Sequence, residues 1–170
     1  MSDPILRPYR ERDLDSLVAI NDAAYPAVPI TPAAELAELI GMGSIVLVVD
    51  DGAPSGFVIG MPPGLGYQSE NYLFFSARAG ERGSTFVYVD RIVLAAHLRG
   101  RGLGPVLYDA VFAEARRAGA TEVLCEVNIE PPNPGSLAFH SRLGFVEVGR
   151  QRTKGGANLV ALLAAPVPAT

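Results

Sequence analysis

The sequence contains a single cysteine and no apolar run long enough to span a lipid bilayer. A lone cysteine cannot close a disulfide within the chain, and such scarcity is typical of proteins in a reducing cytoplasm. Cys125 lies in an apolar strand-like run, so we interpret it as a packing residue and not as a nucleophile. Residues 1–4 also lack the basic and then apolar pattern of a secretory signal. These absences predict a cytoplasmic protein that does not act in a membrane.

Positive charge is scarce as well. Lys and Arg number 14 against 18 Asp and Glu, the net charge is −4, and no basic stripe is visible. This balance argues against a nucleic-acid partner. A chain of 170 residues, 49% of them hydrophobic, is long enough to bury a core. We therefore predict one domain over residues 1–170, and we assign no metal site.

A glycine-rich segment stands between a strand-like run and a helical pattern. It lacks the Gly-Lys-Ser/Thr ending of a Walker loop, and its alternate glycines do not match the G-x-G-x-x-G spacing of dinucleotide sites. Glycine lets the backbone turn tightly and approach a ligand, while helix-start amides and two arginines favour negative charge. The segment predicts a phosphate site at Arg99-Gly100-Arg101-Gly102-Leu103-Gly104. The alternative is a glycine-rich turn that only connects a strand to a helix.

The residues on both sides support this placement. Residues 85–94 are rich in β-branched and aromatic side chains, which predicts a strand. After the segment, apolar residues recur on one helical face at Leu103, Val106, Leu107, Ala110, Val111 and Ala115. The phosphate site is therefore expected at the junction of a strand and a helix.

A second marked segment covers residues 133–145. Asn133 is a favourable N-cap, Pro134 suits the first helical position, and Gly144 suits a left-handed helix end. These signals predict a short helix with both ends defined by the sequence.

Together the two segments resemble the GNAT superfamily of N-acetyltransferases. The acetyl-CoA loop of that family reads Arg/Gln-x-x-Gly-x-Gly/Ala, which Arg99, Gly102 and Gly104 match. Its later motif reads Asn-x-x-Ala/Ser, then a helix with an aromatic residue, then Lys/Arg-x-Gly-Phe. That motif is matched in order and spacing by Asn133, Ser136, Arg142, Gly144 and Phe145. The resemblance rests on motifs from about residue 85 onward and on element order before it.

The resemblance implies an α/β fold with a mixed, mostly antiparallel central sheet, flanked by helices, in which the central strands splay apart. The sequence pattern predicts the element order β-α-α-β-β-β-α-β-α-β-β. Strands are expected at residues 5–9, 44–50, 56–61, 85–94, 122–127, 145–150 and 158–163. Helices are expected to begin near Asp13, near Thr31, after residue 102 and at Asn133, whereas residues 62–83 are expected to form an irregular loop.

The resemblance also implies that acetyl-CoA is the cofactor. The main chain of Ile92, Val93 and Leu94 would bond the pantetheine arm, and the amides of residues 100–104 would hold the pyrophosphate. Pro105 departs from this scheme because it has no N–H to donate. Further candidates for the cofactor site are the polar side chains of Arg99, Arg101, Asn133, Ser136, His140 and Arg142.

Acyl transfer to an amine needs a proton acceptor, a donor for the oxyanion and an acid for the departing thiolate. The resemblance implies the backbone amide of Leu94 as the oxyanion donor. The acid of the family is usually a tyrosine seven residues after the motif asparagine, and His140 holds that position here. An imidazolium with a pKa near ~6.5, favoured by nearby phosphate, would protonate a thiolate whose thiol titrates near ~8.5. The alternative is a packed histidine without a proton role.

The proton acceptor has several candidates. Asp90 is the only carboxylate in an apolar strand-like run, and burial would raise its pKa toward a useful range. A salt bridge with Arg91 or another arginine is the alternative for this residue. Glu126 and Asn128, which share one face of the neighbouring strand, are second choices for the base and candidates for contact with the amine that accepts the acetyl group.

The acceptor is expected to be a primary amine of a small molecule or peptide. Tyr25, Tyr72 and Asp90 are candidates for its site, although residues 72–75 are also typical of a core or an edge strand. The first functional hypothesis is an N-acetyltransferase that acts by direct transfer in a ternary complex. The second is a module of the same fold that binds acetyl-CoA as a sensor or structural ligand without turnover. A monomer and a homodimer are both compatible with the sequence.

Overall fold

The structure, a computed structural model, describes residues 3–169, so Met1, Ser2 and Thr170 lie outside it. Predictions that concern those three positions fall outside the described residues. Within the described part the chain forms seven strands and five α-helices. In chain order they are β1 Ile5–Pro8, α1 Leu14–Ala23, α2 Ala33–Met42, β2 Ile45–Asp50, β3 Pro54–Met61, α3 Glu70–Arg82, β4 Phe86–Leu94, α4 Leu103–Arg117, β5 Glu122–Glu130, α5 Pro134–Arg142, β6 Val146–Thr153 and β7 Asn158–Pro166.

The strands form one sheet in the order β1-β2-β3-β4-β5-β7-β6. Antiparallel pairs join β1 to β2, β2 to β3, β5 to β7 and β6 to β7, whereas β4 and β5 pair in parallel. A turn at Asp51 and Gly52 connects β2 to β3, and Gly52 has a φ angle of 109°. The expected mixed, mostly antiparallel sheet flanked by helices is confirmed.

Two compact units can be distinguished within the chain. The first comprises Met1–Met61 and Val89–Val111, and the second comprises Pro62–Tyr88 and Phe112–Thr170. The parallel register of β4 with β5 lies inside the second unit, where residues 86–88 pair with residues 122–124. One domain over residues 1–170 and splayed central strands both stay predictions.

The expected loop at residues 62–83 contains the 13-residue helix α3, and this part of the prediction was wrong. The Ser69 side chain caps α3 by accepting a hydrogen bond from a backbone amide, and Gly83 ends it in the left-handed conformation at φ 62°. One face of α3 is buried through Asn71, Tyr72, Phe75 and Ala79. The helix adds an element between β3 and β4 that the predicted order lacks.

Asp13 stands directly before α1 as predicted, but its side chain does not cap that helix. Its carboxylate instead accepts the Arg10 amide at 2.8 Å and two bonds from the Arg7 guanidinium at 2.7 and 2.9 Å. Arg7 also donates from Nε to Asp50 on β2 at 2.7 Å. These bonds from Arg7 lower the pKa of Asp13 and of Asp50. A single arginine therefore ties β1 to β2 and to the start of α1.

We predict that Arg7→Met lowers the free energy of unfolding by roughly 3 kcal/mol at neutral pH, because two shielded carboxylates lose their common cation. A carboxyl group whose folded-state pKa is depressed stabilises the fold above its ordinary pKa of ~4. Wild-type stability should therefore decline as the pH falls below that value, and the variant should show a shallower decline. Urea unfolding at pH 7 and pH 3 measures both effects.

Arg117→Met is the matched control for this experiment. Arg117 is exposed and pairs with Glu114 at 2.7 Å, so its loss should change stability far less than the loss of Arg7. The decline of its stability with pH should match that of the wild type. An equally steep decline in Arg7→Met would contradict the assignment of acid sensitivity to this arginine.

Candidate functional site

The predicted phosphate segment forms an exposed turn between β4 and α4. Gly100 and Gly102 have φ angles of 75° and 76°, which residues with a Cβ rarely adopt. A Cβ added at either position would meet no described atom within 4 Å beyond its chain neighbours, so space around the turn is open. Leu103 and Gly104 begin α4, whose first-turn amides have no acceptor within the helix, although Pro105 carries no N–H. The turn and the helix start therefore fit an anionic group such as a diphosphate.

Contacts with the β2–β3 hairpin hold the residues before this turn. Leu98 is fully buried, and the Ala95 amide donates to the Ser55 carbonyl at 2.8 Å. His97 Nε2 lies 2.9 Å from Asp51 Oδ2, and Ser55 Oγ donates to Asp51 Oδ1 at 2.6 Å. The bond from Ser55 and then that from His97 lower the pKa of Asp51. The phosphate turn is thus attached to a hairpin more than forty residues earlier in the chain.

Both arginines of the phosphate turn are exposed. Arg99 donates from Nε to the Leu94 carbonyl at 3.3 Å, which keeps its guanidinium near the end of β4. Ile92 and Leu94 are half-buried, and Val93 is buried. The contacts of these residues and of Arg101 with a cofactor stay predictions.

Asp90 and Arg91 are both buried on β4. Arg91 Nη1 lies 3.4 Å from Asp90 Oδ2, and Arg91 Nη2 donates to Thr31 Oγ1 at 3.2 Å. The buried ion pair favours the alternative that the sequence raised for Asp90, a salt bridge with Arg91. It also makes this carboxylate a poor first choice as a proton acceptor, because an amine would have to replace the arginine.

His140 lies on α5, is only 3% exposed and packs between two aromatic rings, one on α5 and one just before β6. The ring centroids of Phe139 and Phe145 lie 5.1 and 5.3 Å from that of the imidazole, both edge-on. Its Nδ1 lies 2.8 Å from the Ser136 carbonyl, which accepts a hydrogen bond from it. Burial lowers the pKa of His140, and the bond to Ser136 only partly opposes this effect. The structure therefore favours a neutral imidazole, in contrast to the imidazolium expected from the sequence.

The predicted ends of α5 are confirmed. Asn133 Oδ1 accepts from the Ser136 amide at 3.3 Å, Pro134 occupies the first turn, and Gly144 follows the helix at φ 89°. Asn133 and Ser136 thus organise the helix that carries His140. Arg142 is exposed in the last turn, and its contact with phosphate stays a prediction.

In the structure, Glu126 contacts a tyrosine that the sequence did not identify as a candidate. Tyr88 Oη donates to the Glu126 carboxylate, with its two oxygens at 3.0 and 2.8 Å. Tyr88 is fully buried, whereas Glu126 and Asn128 are half-buried on β5. The signal that would have found this pair is the parallel register, which sets Tyr88 opposite Leu124, two residues before Glu126.

The two tyrosines expected at the acceptor site occupy different surroundings. Tyr72 is fully buried, and its hydroxyl donates to the Pro62 carbonyl at 2.7 Å and accepts from the Leu65 amide at 3.1 Å. This burial favours the core alternative raised for Tyr72. Tyr25, which follows α1, is 64% exposed and keeps a side chain that a ligand can reach.

Cys125 is buried in β5, which agrees with a packing role. No helix within residues 3–169 combines the length and the apolar character that a membrane crossing requires. The same described part of the chain holds no group of three or more His, Cys, Asp and Glu side chains arranged to bind a metal ion.

The sequence profile of the acetyltransferase (GNAT) family matches residues 10–145. The match covers well over half of the chain, which therefore belongs to the GNAT acetyltransferase family. The search of curated proteins found no significant match by sequence.

Solved structures share this fold over nearly the whole chain. Ard1 from Thermoplasma volcanium superposes with a TM-score of 0.78 at 17% identity, covering 99% of this chain and 100% of that one. The ribosomal-protein-S18-alanine N-acetyltransferase from Escherichia coli gives 0.72 at 17% identity, with 98% and 96% covered. Salmonella typhimurium yncA, solved with its cofactor acetyl-CoA, gives 0.69 at 18% identity, with 99% and 96% covered. At these identities the likeness shows the fold alone.

We predict that Gly102→Ala weakens the binding of CoA by roughly tenfold or more, because a side chain at this left-handed position reshapes the turn and redirects its amides. Isothermal titration calorimetry with CoA measures the change. Gly119→Ala is the matched control, since Gly119 follows α4 at φ 70° with equally open surroundings. It should lower stability by a similar ~1–2 kcal/mol without weakening CoA binding. Unchanged affinity in Gly102→Ala would place the phosphate elsewhere.

Proposed function

We propose that this chain is an acetyl-CoA-dependent N-acetyltransferase that transfers the acetyl group directly, in a ternary complex, to a primary amine of a small molecule or peptide. The observation that carries the proposal is the left-handed turn at Gly100 and Gly102 before α4, in a chain of the GNAT acetyltransferase family. Two structural neighbours support the choice of donor. The yncA structure contains acetyl-CoA, and the NatC complex, 14% identical with a TM-score of 0.75, is bound to Gag peptide and CoA.

In this proposal the backbone contributes most of the contacts to acetyl-CoA. The amides of residues 100–104 donate to the diphosphate, whereas the following Pro105 has no N–H to donate. Arg99 and Arg101 add charge-assisted bonds. The main chain of residues 92–94 pairs with the pantetheine arm. When bound, acetyl-CoA supplies the acetyl thioester that the amine nitrogen attacks, with cleavage of the carbon–sulfur bond and protonation of the sulfur.

We propose Glu126 as the proton acceptor in place of Asp90. Glu126 is half-buried on β5, and the single Tyr88 hydroxyl, shared between the two oxygens of its carboxylate, orients it. The Asp90 side chain is more deeply buried and lies beside Arg91. A half-buried, oriented carboxylate suits both the attraction of an ammonium group and the uptake of the proton that the amine nitrogen loses as it bonds the acetyl carbon.

The backbone amide of Leu94 is the proposed donor to the oxyanion. His140 is given a packing role, because burial disfavours its cationic form and its Nδ1 proton is already engaged by the Ser136 carbonyl. Solvent is then the proton source for the thiolate, whose thiol titrates near ~8.5 and so needs little assistance near neutral pH. This assignment replaces the acid role that the sequence position of His140 implied.

The acceptor class remains the broad one, amines of small molecules and of peptides. The ribosomal-protein-alanine N-acetyltransferases from Escherichia coli and Brucella melitensis share the fold at 17% and 21% identity, which supports testing peptide N-termini first. Tyr25 is proposed to contact the acceptor, since its ring is exposed in the connection between α1 and α2.

We predict that the protein releases CoA thiol from acetyl-CoA roughly tenfold faster, or more, with a suitable primary amine than by hydrolysis alone. A panel of amino acids, polyamines, aminoglycosides and peptides with free N-termini tests this, with a colorimetric thiol assay and mass spectrometry of the acetylated product. Gly102→Ala should reduce the rate with every acceptor. Tight binding of acetyl-CoA with no acceptor turned over would instead indicate a sensor.

We predict that Glu126→Gln lowers kcat by about 10²- to 10⁴-fold, the usual contribution of a positioned base, with little change in the KM for acetyl-CoA. Glu130→Gln is the matched control, because Glu130 ends the same strand and pairs with Arg152 at 3.0 Å. Steady-state kinetics with the best amine of the panel compare the two variants. Equal activity of Glu126→Gln and the wild type would remove Glu126 from the reaction.

A further inference from the structure

We infer that Tyr88 is a positioning residue for the proposed proton acceptor: its buried hydroxyl orients the Glu126 carboxylate. This inference rests on the proposed function only for the role of Glu126. The hydrogen bond itself is a feature of the described structure. Helix α3, which the sequence did not predict, packs against the ring of this tyrosine.

The geometry of the pair is that of a donor shared between two acceptors. Tyr88 Oη lies 3.0 Å from Oε1 and 2.8 Å from Oε2 of Glu126. A hydroxyl in this position restricts rotation of the carboxylate about its last bond and stabilises the negative charge. Tyr88 is fully buried and Glu126 is half-buried, so the donor is shielded from solvent more completely than the residue that it orients.

The tyrosine ring is fixed by an aromatic cluster. Its centroid lies 5.6 Å from that of Tyr72 in an edge arrangement and 5.8 Å from that of Phe75. Tyr72 and Phe75 are both fully buried and belong to α3, and the Tyr72 ring also packs edge-on against Phe86 at 5.9 Å. A ring enclosed on this side has little freedom to withdraw its hydroxyl from Glu126.

Helix α3 is itself fixed at several points. The Tyr72 hydroxyl bonds the backbone of Pro62 and Leu65, which holds the segment before the helix. Asn71 Oδ1 accepts from Gln151 Nε2 on β6 at 2.7 Å. A Cβ on Gly149 would lie 2.8 Å from the Phe74 ring, so the glycine permits close packing of β6 on α3. The helix is therefore a rigid support for the Tyr88 ring.

The other two glutamates of β5 are paired with arginines. Glu122 pairs with Arg78 of α3 at 2.7 Å, and Glu130 pairs with Arg152 of β6 at 3.0 Å. β7 places Leu162 opposite Glu126. Comparison with a tyrosine variant that leaves the Tyr88 hydroxyl in place is therefore what assigns a change in the titration of Glu126 to that hydroxyl.

The test is Tyr88→Phe, with Tyr72→Phe as the matched control. Both residues are fully buried tyrosines with bonded hydroxyls, but the hydroxyl of Tyr72 bonds backbone and not Glu126. In Tyr88→Phe we expect the acidic limb of the kcat profile to move to higher pH by roughly one unit, the size of one hydrogen bond to a charged group. We expect kcat to fall about tenfold, with the KM for acetyl-CoA unchanged. Tyr72→Phe should lose comparable stability and keep the wild-type limb.

A readout without turnover separates this inference from the proposed function. The carboxyl carbon of Glu126, assigned by NMR through Glu126→Gln, should titrate at higher pH in Tyr88→Phe than in the wild type, with or without an identified acceptor. Site-specific 3-fluorotyrosine at position 88 serves if the phenylalanine variant fails to fold, because its more acidic phenol should move the midpoint to lower pH. Unmoved midpoints in the variant that folds would overturn the inference. If the wild type shows no turnover but the Glu126 midpoint still moves in Tyr88→Phe, only the proposed function is overturned.

Discussion

The proposed phosphate site depends on one backbone constraint, two left-handed glycines within three residues that turn the chain from β4 into α4. Residues with a Cβ resist this conformation, and without it the strand could not reach the helix start with its amides directed outward. The constraint needs support, because an exposed turn of this kind moves easily. The buried Leu98 and the contacts among His97, Asp51 and Ser55 supply that support from a distant hairpin. Pro105 removes one donor from the helix start and so increases the weight of the remaining amides and of the arginines.

Four carboxylates of the protein can be compared by the groups that contact them. Asp13 and Asp50 are bound by one arginine, and Asp90 lies buried beside another, so their negative charge is used within the fold. Glu126 is held by a neutral hydroxyl, which orients the charge without cancelling it. A carboxylate oriented by a hydroxyl remains able to attract a cation, whereas one in an ion pair must give up that pair to do so. This difference, and not burial alone, distinguishes Glu126 from Asp90.

The elements with strong local signals were predictable from the sequence. The cap at Asn133 and the glycine turn before α4 need only neighbouring residues to form, and both are confirmed. Helix α3 was not predicted because residues 72–75, three aromatic residues and a leucine, form a run too short to separate a helix from a strand. A glycine- and proline-rich segment also precedes the helix. The pairing of Tyr88 with Glu126 depends on the register of two strands 38 residues apart, and the charge state of His140 depends on burial by the whole fold. Such long-range features have no local signature.

The placement of a hydroxyl against the proposed base has a consequence for how the proton would move. A free carboxylate titrates near ~4 and an ammonium near ~10, so Glu126 cannot take a proton from a resting ammonium to any large extent. A donor such as Tyr88 makes the carboxylate less basic still. The arrangement is therefore suited to attracting the cationic amine, which loses a first proton to solvent to expose its lone pair. It is also suited to receiving the second proton as that lone pair bonds the acetyl carbon and the nitrogen becomes far more acidic. On this view Glu126 acts first through its charge and then through its basicity, and the orientation that Tyr88 provides serves both steps.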